Sequence, residues 1–240
     1  VTGPTGTGKT SCTKYVLNQL TEFSQTPIAI YINCWNFTTS NAILSEIAER
    51  LKLPLPRRGI AFDEIFKRIK EYLVVNNKIL VVVLDEVDRL IANNSTEILY
   101  YLSRGDELAN GRVSTIVISN DEELAAKLDD RIRSSLLESR IKFEKYNAFQ
   151  LKKILMERAK LAFFSSAISE EAIALCAANA AKQGGDARVG ISLLYQAGLN
   201  AEREGSNKLL LKHVKLALEE VKQETDFISR HFDSLSDPEK

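Results

Sequence analysis

The sequence predicts an α/β fold, in which a doubly wound parallel sheet forms a P-loop base domain and a smaller all-helical lid domain follows it. Three observations predict this. A phosphate-binding loop, Gly3-Pro4-Thr5-Gly6-Thr7-Gly8-Lys9-Thr10, runs directly into helix-compatible sequence. Short apolar, β-branched runs then alternate with amphipathic stretches as far as Phe143. From Asn147 onward the strand signal stops and helical periodicity alone continues. The base is therefore expected at 1–145, the lid at 146–225, and a polar linker toward a further domain at 226–240.

The loop fits G-x-x-x-x-G-K-[ST] at every position. Gly6 and Gly8 permit the positive φ that turns backbone amides onto a phosphate, where a side chain would block the approach. Pro4, Thr5, Gly6, Thr7, Gly8, Lys9, Thr10 and Ser11 are thus the candidate nucleotide contacts. Lys9 reaches the β and γ phosphates, Thr10 offers a hydroxyl to Mg²⁺, and the following helix turns its positive end toward the anion. The strand that should precede the loop is reduced to Val1-Thr2, so the chain is expected to begin inside its own domain.

Each later element has its own signature. Ile28 to Cys34, after Pro27, reads as a buried parallel strand. Asn41 to Leu53 carries Ile43, Leu44, Ile47, Ala48 and Leu51 at the spacing of an amphipathic helix. A break at Pro54 to Gly59 precedes a second helix from Phe62 to Val75, whose first turn holds Asp63 and Glu64. Lys78 to Leu84 is a hydrophobic strand ending in Asp85, Glu86 and Asp88. A carboxylate closing such a strand holds the Mg²⁺ shell, and its neighbour takes a proton from the attacking water, so Asp85 and Glu86 are assigned those roles. Val113 to Ser119 is the next buried strand. Asn120 at its tip is the candidate to orient the lytic water, to cap a helix expected over Asp121 to Leu128, or to do both. A short strand around Ser139 to Phe143 closes the base. Lid helices are expected from Phe149 to Phe164, Ser169 to Lys182, Asp186 to Glu204 and Leu211 to Gln223.

Composition narrows the class. Lysine plus arginine and aspartate plus glutamate both number 32, so any attraction to nucleic acid must be local rather than a property of the whole chain. No apolar run approaches the ~20 residues of a membrane span. Cys12, Cys34 and Cys176 are odd in number and far apart, which argues against a disulfide framework or a zinc site and suits a reducing cytosol. His213 and His231 read as surface histidines.

Taken together, the P-loop, the Leu-Asp-Glu-Val-Asp strand end, the strand-tip Asn120 and the helical lid resemble the AAA+ ATPases. The resemblance narrows with Ile118-Ser119-Asn120-Asp121, Leu128-Asp129-Asp130-Arg131-Ile132-Arg133-Ser134-Ser135-Leu136, Tyr146-Asn147-Ala148-Phe149-Gln150-Leu151 and Gly185-Asp186-Ala187-Arg188. In this order they look like the signatures of the archaeal origin-recognition initiators, similar to the largest origin recognition complex subunit and the cell division control licensing factor. Two departures stand out: Asp130 occupies the place of an expected proline, and the winged-helix domain toward which residues 226–240 are expected to lead is not among these 240 residues.

The resemblance implies an ATP/ADP and Mg²⁺ site and an ATPase whose slow hydrolysis resets a switch. It also implies origin duplex DNA, a replicative helicase and other copies or paralogues as partners, in the cytoplasm at the nucleoid. Arg188 is implied as a second sensor of the γ phosphate, with Tyr146 and Arg158 beside the adenine. Either Arg131 or Arg133 is implied as a finger toward a neighbour's nucleotide, unless it makes an intramolecular salt bridge. The helical pair over 41–75 falls where initiators carry a DNA-contacting insertion, with Arg57 and Arg58 at its turn. Basic residues outnumber acidic ones between residues 50 and 75, although an ordinary solvated helix surface has the same look. A clamp-loader-like or signalling AAA+ protein would share both nucleotide motifs without binding an origin.

Overall fold

The computed structural model describes residues 1–55, 59–104, 112–136, 139–164 and 167–221. The chain divides into two compact units, Val1–Glu144 and Lys145–Lys240.

In the first unit, β1 (Pro27–Asn33), β2 (Ile79–Asp85) and β3 (Val113–Ile118) form a parallel sheet in the order β1-β2-β3. Asn33 pairs with Asp85, and Asp85 with Ile118, so the strands end level with one another. Thr2 makes parallel bridges to both Ser119 and Lys142, which places the start of the chain beside β3 and continues the sheet outward. The run expected as a strand over Ser139 to Phe143 supplies only the Lys142 bridge.

The strands are largely apolar because both faces are covered. On one face Ile30, Ile32, Leu80, Val82 and Leu84 pack with Ile43, Leu44 and Ile47 of α2 (Ser40–Arg50) and with Ile65, Ile69 and Leu73 of α3 (Phe62–Val75). On the other face Val83 and Ile118 pack with Leu17 of α1 (Lys9–Phe23). Helices on both faces make the sheet doubly wound, as the alternation of elements implied. Truncating any of these buried leucines or isoleucines to alanine should cost ~2–5 kcal/mol.

Two short helices not anticipated from sequence follow β2, α4 (Asp88–Ala92) and α5 (Glu97–Ser103). They are tied to α2 through the buried Ser40, whose hydroxyl donates to the Ser95 carbonyl and accepts from the Ile98 amide. The helix expected over 121–128 shrinks to α6 (Leu124–Lys127), because the Asp121 carboxylate captures the Glu123 amide and competes with helix formation there. Asn120 caps no helix by its side chain. The helix α7 (Asp130–Leu136) follows.

The second unit holds α8 (Ala148–Ala162), α9 (Glu170–Lys182) and α10 (Ala187–Arg203), with residues 211–221 also helical. Their starts are written in the sequence. Asn147 and Gln150 form a reciprocal capping box, and the side chains of Ser169 and Asp186 accept the Ala172 and Arg188 amides. The core is built from leucines and small residues: Leu151, Leu155, Cys176, Ala180, Leu194 and Ala197. A Cβ on Gly190 would come within 3.1 Å of the Leu155 side chain, so glycine permits this close helix packing. His213 is not a surface histidine, since it is 2 % exposed, accepts the Leu210 amide at Nδ1 and pairs with Glu204 at Nε2. His231 lies outside the described residues. Among the described residues no helix is long and apolar enough to cross a membrane.

Candidate nucleotide site

At the carboxyl ends of β1 and β2 the first unit gathers its polar side chains. Gly3, Gly6 and Gly8 adopt φ of 145°, 69° and 89°, the region that favours glycine, and α1 starts directly after Gly8. Gly3 is doubly constrained, because a Cβ there would lie 2.3 Å from the Phe143 carbonyl oxygen. Within the loop, Lys9 is 6 % exposed and its ammonium donates to the carbonyls of Gly3 at 2.6 Å and Pro4 at 2.7 Å. The buried Thr7 hydroxyl donates to Pro4 as well. Pro4, Gly6 and Thr10 are half-buried, whereas Thr5 and Ser11 are exposed.

The decisive contact joins the two motifs. Thr10 Oγ1 donates to Asp85 Oδ2 at 2.6 Å, across 75 residues of sequence. Asp85 itself is 2 % exposed, and its Oδ1 accepts the Glu86 amide at 2.9 Å. Glu86 sits at φ 58°, an unusual backbone for a residue with a Cβ, which costs on the order of 1–3 kcal/mol and is found where a side chain must be aimed. A hollow of about 470 Å³ is lined by Glu86, Asn120, Trp35, Asp88 and Arg89 among others, which brings the two proposed catalytic side chains Glu86 and Asn120 to one place. Asp88 holds the strand tip there by accepting the Ser119 hydroxyl and the Asn120 amide.

Two residues here escaped the sequence reading. Tyr31 donates to Asp85 Oδ2 at 2.7 Å, and Asn33 Nδ2 donates to Glu86 Oε2 at 3.2 Å. Burial and then the Asp85 hydrogen bond push the Tyr31 phenol well above its usual range. Cys34, fully buried beside them, is pushed up to about 12 by burial and by the nearby carboxylates. The signal was present: Tyr31 and Asn33 are the polar pair at i and i+2 in an otherwise apolar strand, hence on one face.

The donor set suits Mg²⁺. No group of three or more metal-ligating side chains occurs among the described residues. Mg²⁺ characteristically uses one or two protein groups together with phosphates, and Thr10 with Asp85 supplies such a pair.

The remaining candidates lie elsewhere. Arg133 forms an ion pair with Asp130, the residue standing where proline was expected, and Arg131 is exposed. Arg57 and Arg58 lie outside the described residues. Around them, Arg50, Lys67 and Arg68 pair with Glu46, Glu71 and Glu64. In the second unit Tyr146 is half-buried against the helical core, and Arg158 is exposed. Gly185, at φ 75°, approaches Tyr146 so closely that a Cβ would lie 2.6 Å from its carbonyl oxygen. Arg188 lies in the first turn of α10, where the helix dipole opposes a cation, and its guanidinium rests on Asp186 at 2.9 Å.

Comparison with known families is consistent with this geometry. Residues 1–128 match the model of the AAA domain, and residues 152–219 match that of the Cdc6 AAA+ ATPase-type lid domain. The chain belongs to the AAA+ origin-recognition initiator family. It is 42% identical over 224 residues to an ORC1-type DNA replication protein 1 of Sulfurisphaera tokodaii, covering 92% of this chain and 56% of that one. Among solved structures it is similar to the Aeropyrum pernix ORC1 protein in complex with DNA, at 33% identity and TM-score 0.78, over 91% of this chain and 58% of that one. Cdc6p from Pyrobaculum aerophilum matches at 27% identity and TM-score 0.80, over 92% and 60% of the two chains. The chain thus spans little more than half the length of these initiators.

Proposed function

We propose that this chain is the nucleotide-driven core of a DNA replication initiator, which binds ATP with Mg²⁺, engages origin duplex DNA and returns to its resting state by slow hydrolysis to ADP. The observation that carries it is the Thr10–Asp85 hydrogen bond, which unites the phosphate loop with the acidic strand end. Its relatives' description as ORC1-type DNA replication proteins and the DNA-bound ORC1 neighbour support the origin role.

In this reading the Pro4 to Ser11 backbone cradles the triphosphate, and Lys9 exchanges its loop carbonyls for phosphate oxygens. Thr10 and Asp85 hold Mg²⁺, which when bound neutralises phosphate charge. Glu86 takes the proton from the lytic water, and Asn120 orients it. Tyr146 and Arg158 serve the base. Arg188 leaves Asp186 for the γ phosphate, so loss of that phosphate returns it to its own helix cap. Arg57 and Arg58 contact DNA phosphates, and Arg131 or Arg133 serves a neighbouring copy. Recruitment of the replicative helicase at the nucleoid is the output.

Duplex binding by the full-length protein with and without ATP tests the reading. Wild type should bind origin DNA differently in the two conditions, Lys9→Ala should bind no nucleotide and show no ATP response, and Glu86→Gln should bind ATP but not turn it over. ATP-independent DNA binding, or tight ATP binding by Lys9→Ala, would overturn it.

A further inference from the structure

We infer that Tyr31 is a positioning residue for the metal-binding carboxylate, one that acts through Asp85 and touches neither nucleotide nor metal; this rests on the Mg²⁺–nucleotide reading above. A carboxylate offers four acceptor positions. In Asp85 three are occupied: Oδ1 by the Glu86 amide at 2.9 Å, and Oδ2 by both Thr10 at 2.6 Å and Tyr31 at 2.7 Å. Thr10 is also a candidate metal ligand, so its hydroxyl answers to two partners. The Tyr31 hydroxyl donates its own hydrogen to Asp85, with the Asn33 side chain as a further hydrogen-bonding neighbour.

The phenol is well held for this work. Tyr31 lies on β1, whose register with β2 is fixed over seven consecutive residue pairs, and the pair Asn33 and Asp85 closes that register. Tyr31 packs against the cluster of Leu17, Val83 and Ile118, while the Lys14 ammonium lies 4.1 Å from the ring centroid. The attraction between this cation and the ring face helps to hold the ring in place. The hydroxyl therefore fixes the carboxylate plane of Asp85 from outside the phosphate loop. Outer partners of this kind commonly contribute about 10–100-fold to metal affinity.

Tyr31→Phe keeps the ring, its packing and the Lys14 contact, and removes only the donor. Binding of a fluorescent ATP analogue to the purified protein is measured along a MgCl₂ titration, and again in EDTA. The Tyr31→Phe protein should need about 10-fold more Mg²⁺ for half-saturation, with metal-free nucleotide affinity and thermal midpoint at the wild-type values. An unchanged or lowered Mg²⁺ requirement overturns the inference, and so does an equal loss of affinity in EDTA, which marks a structural role. A wild-type protein whose nucleotide binding ignores Mg²⁺ would instead sink the nucleotide-site reading itself. The two failures are thereby distinct.

Discussion

In the base unit the polar groups of the site are bonded over long stretches of chain: Thr10 to Asp85 across 75 residues, Tyr31 to Asp85 across 54 and Asn33 to Glu86 across 53. In the helical unit the caps close within three residues, at Asn147 with Gln150, Ser169 with Ala172 and Asp186 with Arg188. The difference follows from architecture. A parallel sheet brings distant strand ends level, so its site is assembled by register, whereas each helix end must satisfy its own amides. The base site should accordingly be cooperative and brittle, and the helical unit's polar contacts should be lost one at a time.

The largest expected effect tests the brittle side. Gly3→Ala forces an L residue into φ 145° and sets its Cβ 2.3 Å from the Phe143 carbonyl, so the strand at Thr2 must shift. A loss of about 2–4 kcal/mol is expected. Hydrogen exchange should show it over β1, β2 and β3 while helices 148–203 keep their protection. Equal loss in both units would break the comparison by making them one cooperative body.

A smaller effect is expected of Asn147→Ala, which removes one half of the capping box and should cost about 1 kcal/mol. Here exchange should rise in the first turn of α8 and leave β2 unchanged, and a loss spread over the sheet would contradict local closure.

The smallest concerns pH. The Glu204 carboxylate is held below its ordinary value of 4.5 by the Lys212 and then the His213 hydrogen bonds. A depressed acid stabilises the fold above its unfolded value, and that contribution fades as pH falls through the folded value. Glu204→Gln should therefore flatten the acid limb of stability for helices 187–203 and 211–221, read as exchange protection between about pH 3 and pH 6. An acid limb identical to wild type would show that this pair carries no local stability.

How far the sequence could be read varies with the same distinction. The helix from Phe62 to Val75 and the helix starts at Ser169 and Asp186 were legible because propensity, periodicity and capping act within a few residues. The glycine conformations at Gly6 and Gly8 were legible too, since only glycine enters that region cheaply. Asp130 stands out in the sequence as a departure and Arg133 as a candidate finger, but their pairing on one helical turn needs α7 to be formed. The anion that reconciles Arg188 with a helix start is local instead, supplied by Asp186 two residues before it.

By itself, the sequence determined the α/β class, the doubly wound order and the residues of the phosphate loop and acidic strand, because each is a matter of local pattern. Tertiary structure decided that Tyr31 and Asn33 stand beside Asp85 and Glu86, that His213 is buried, and that Ser139 to Phe143 contributes one bridge instead of a strand. The physical reason is that pairing register and burial depend on which segments pack together. Composition and spacing along one segment hold no record of its neighbour.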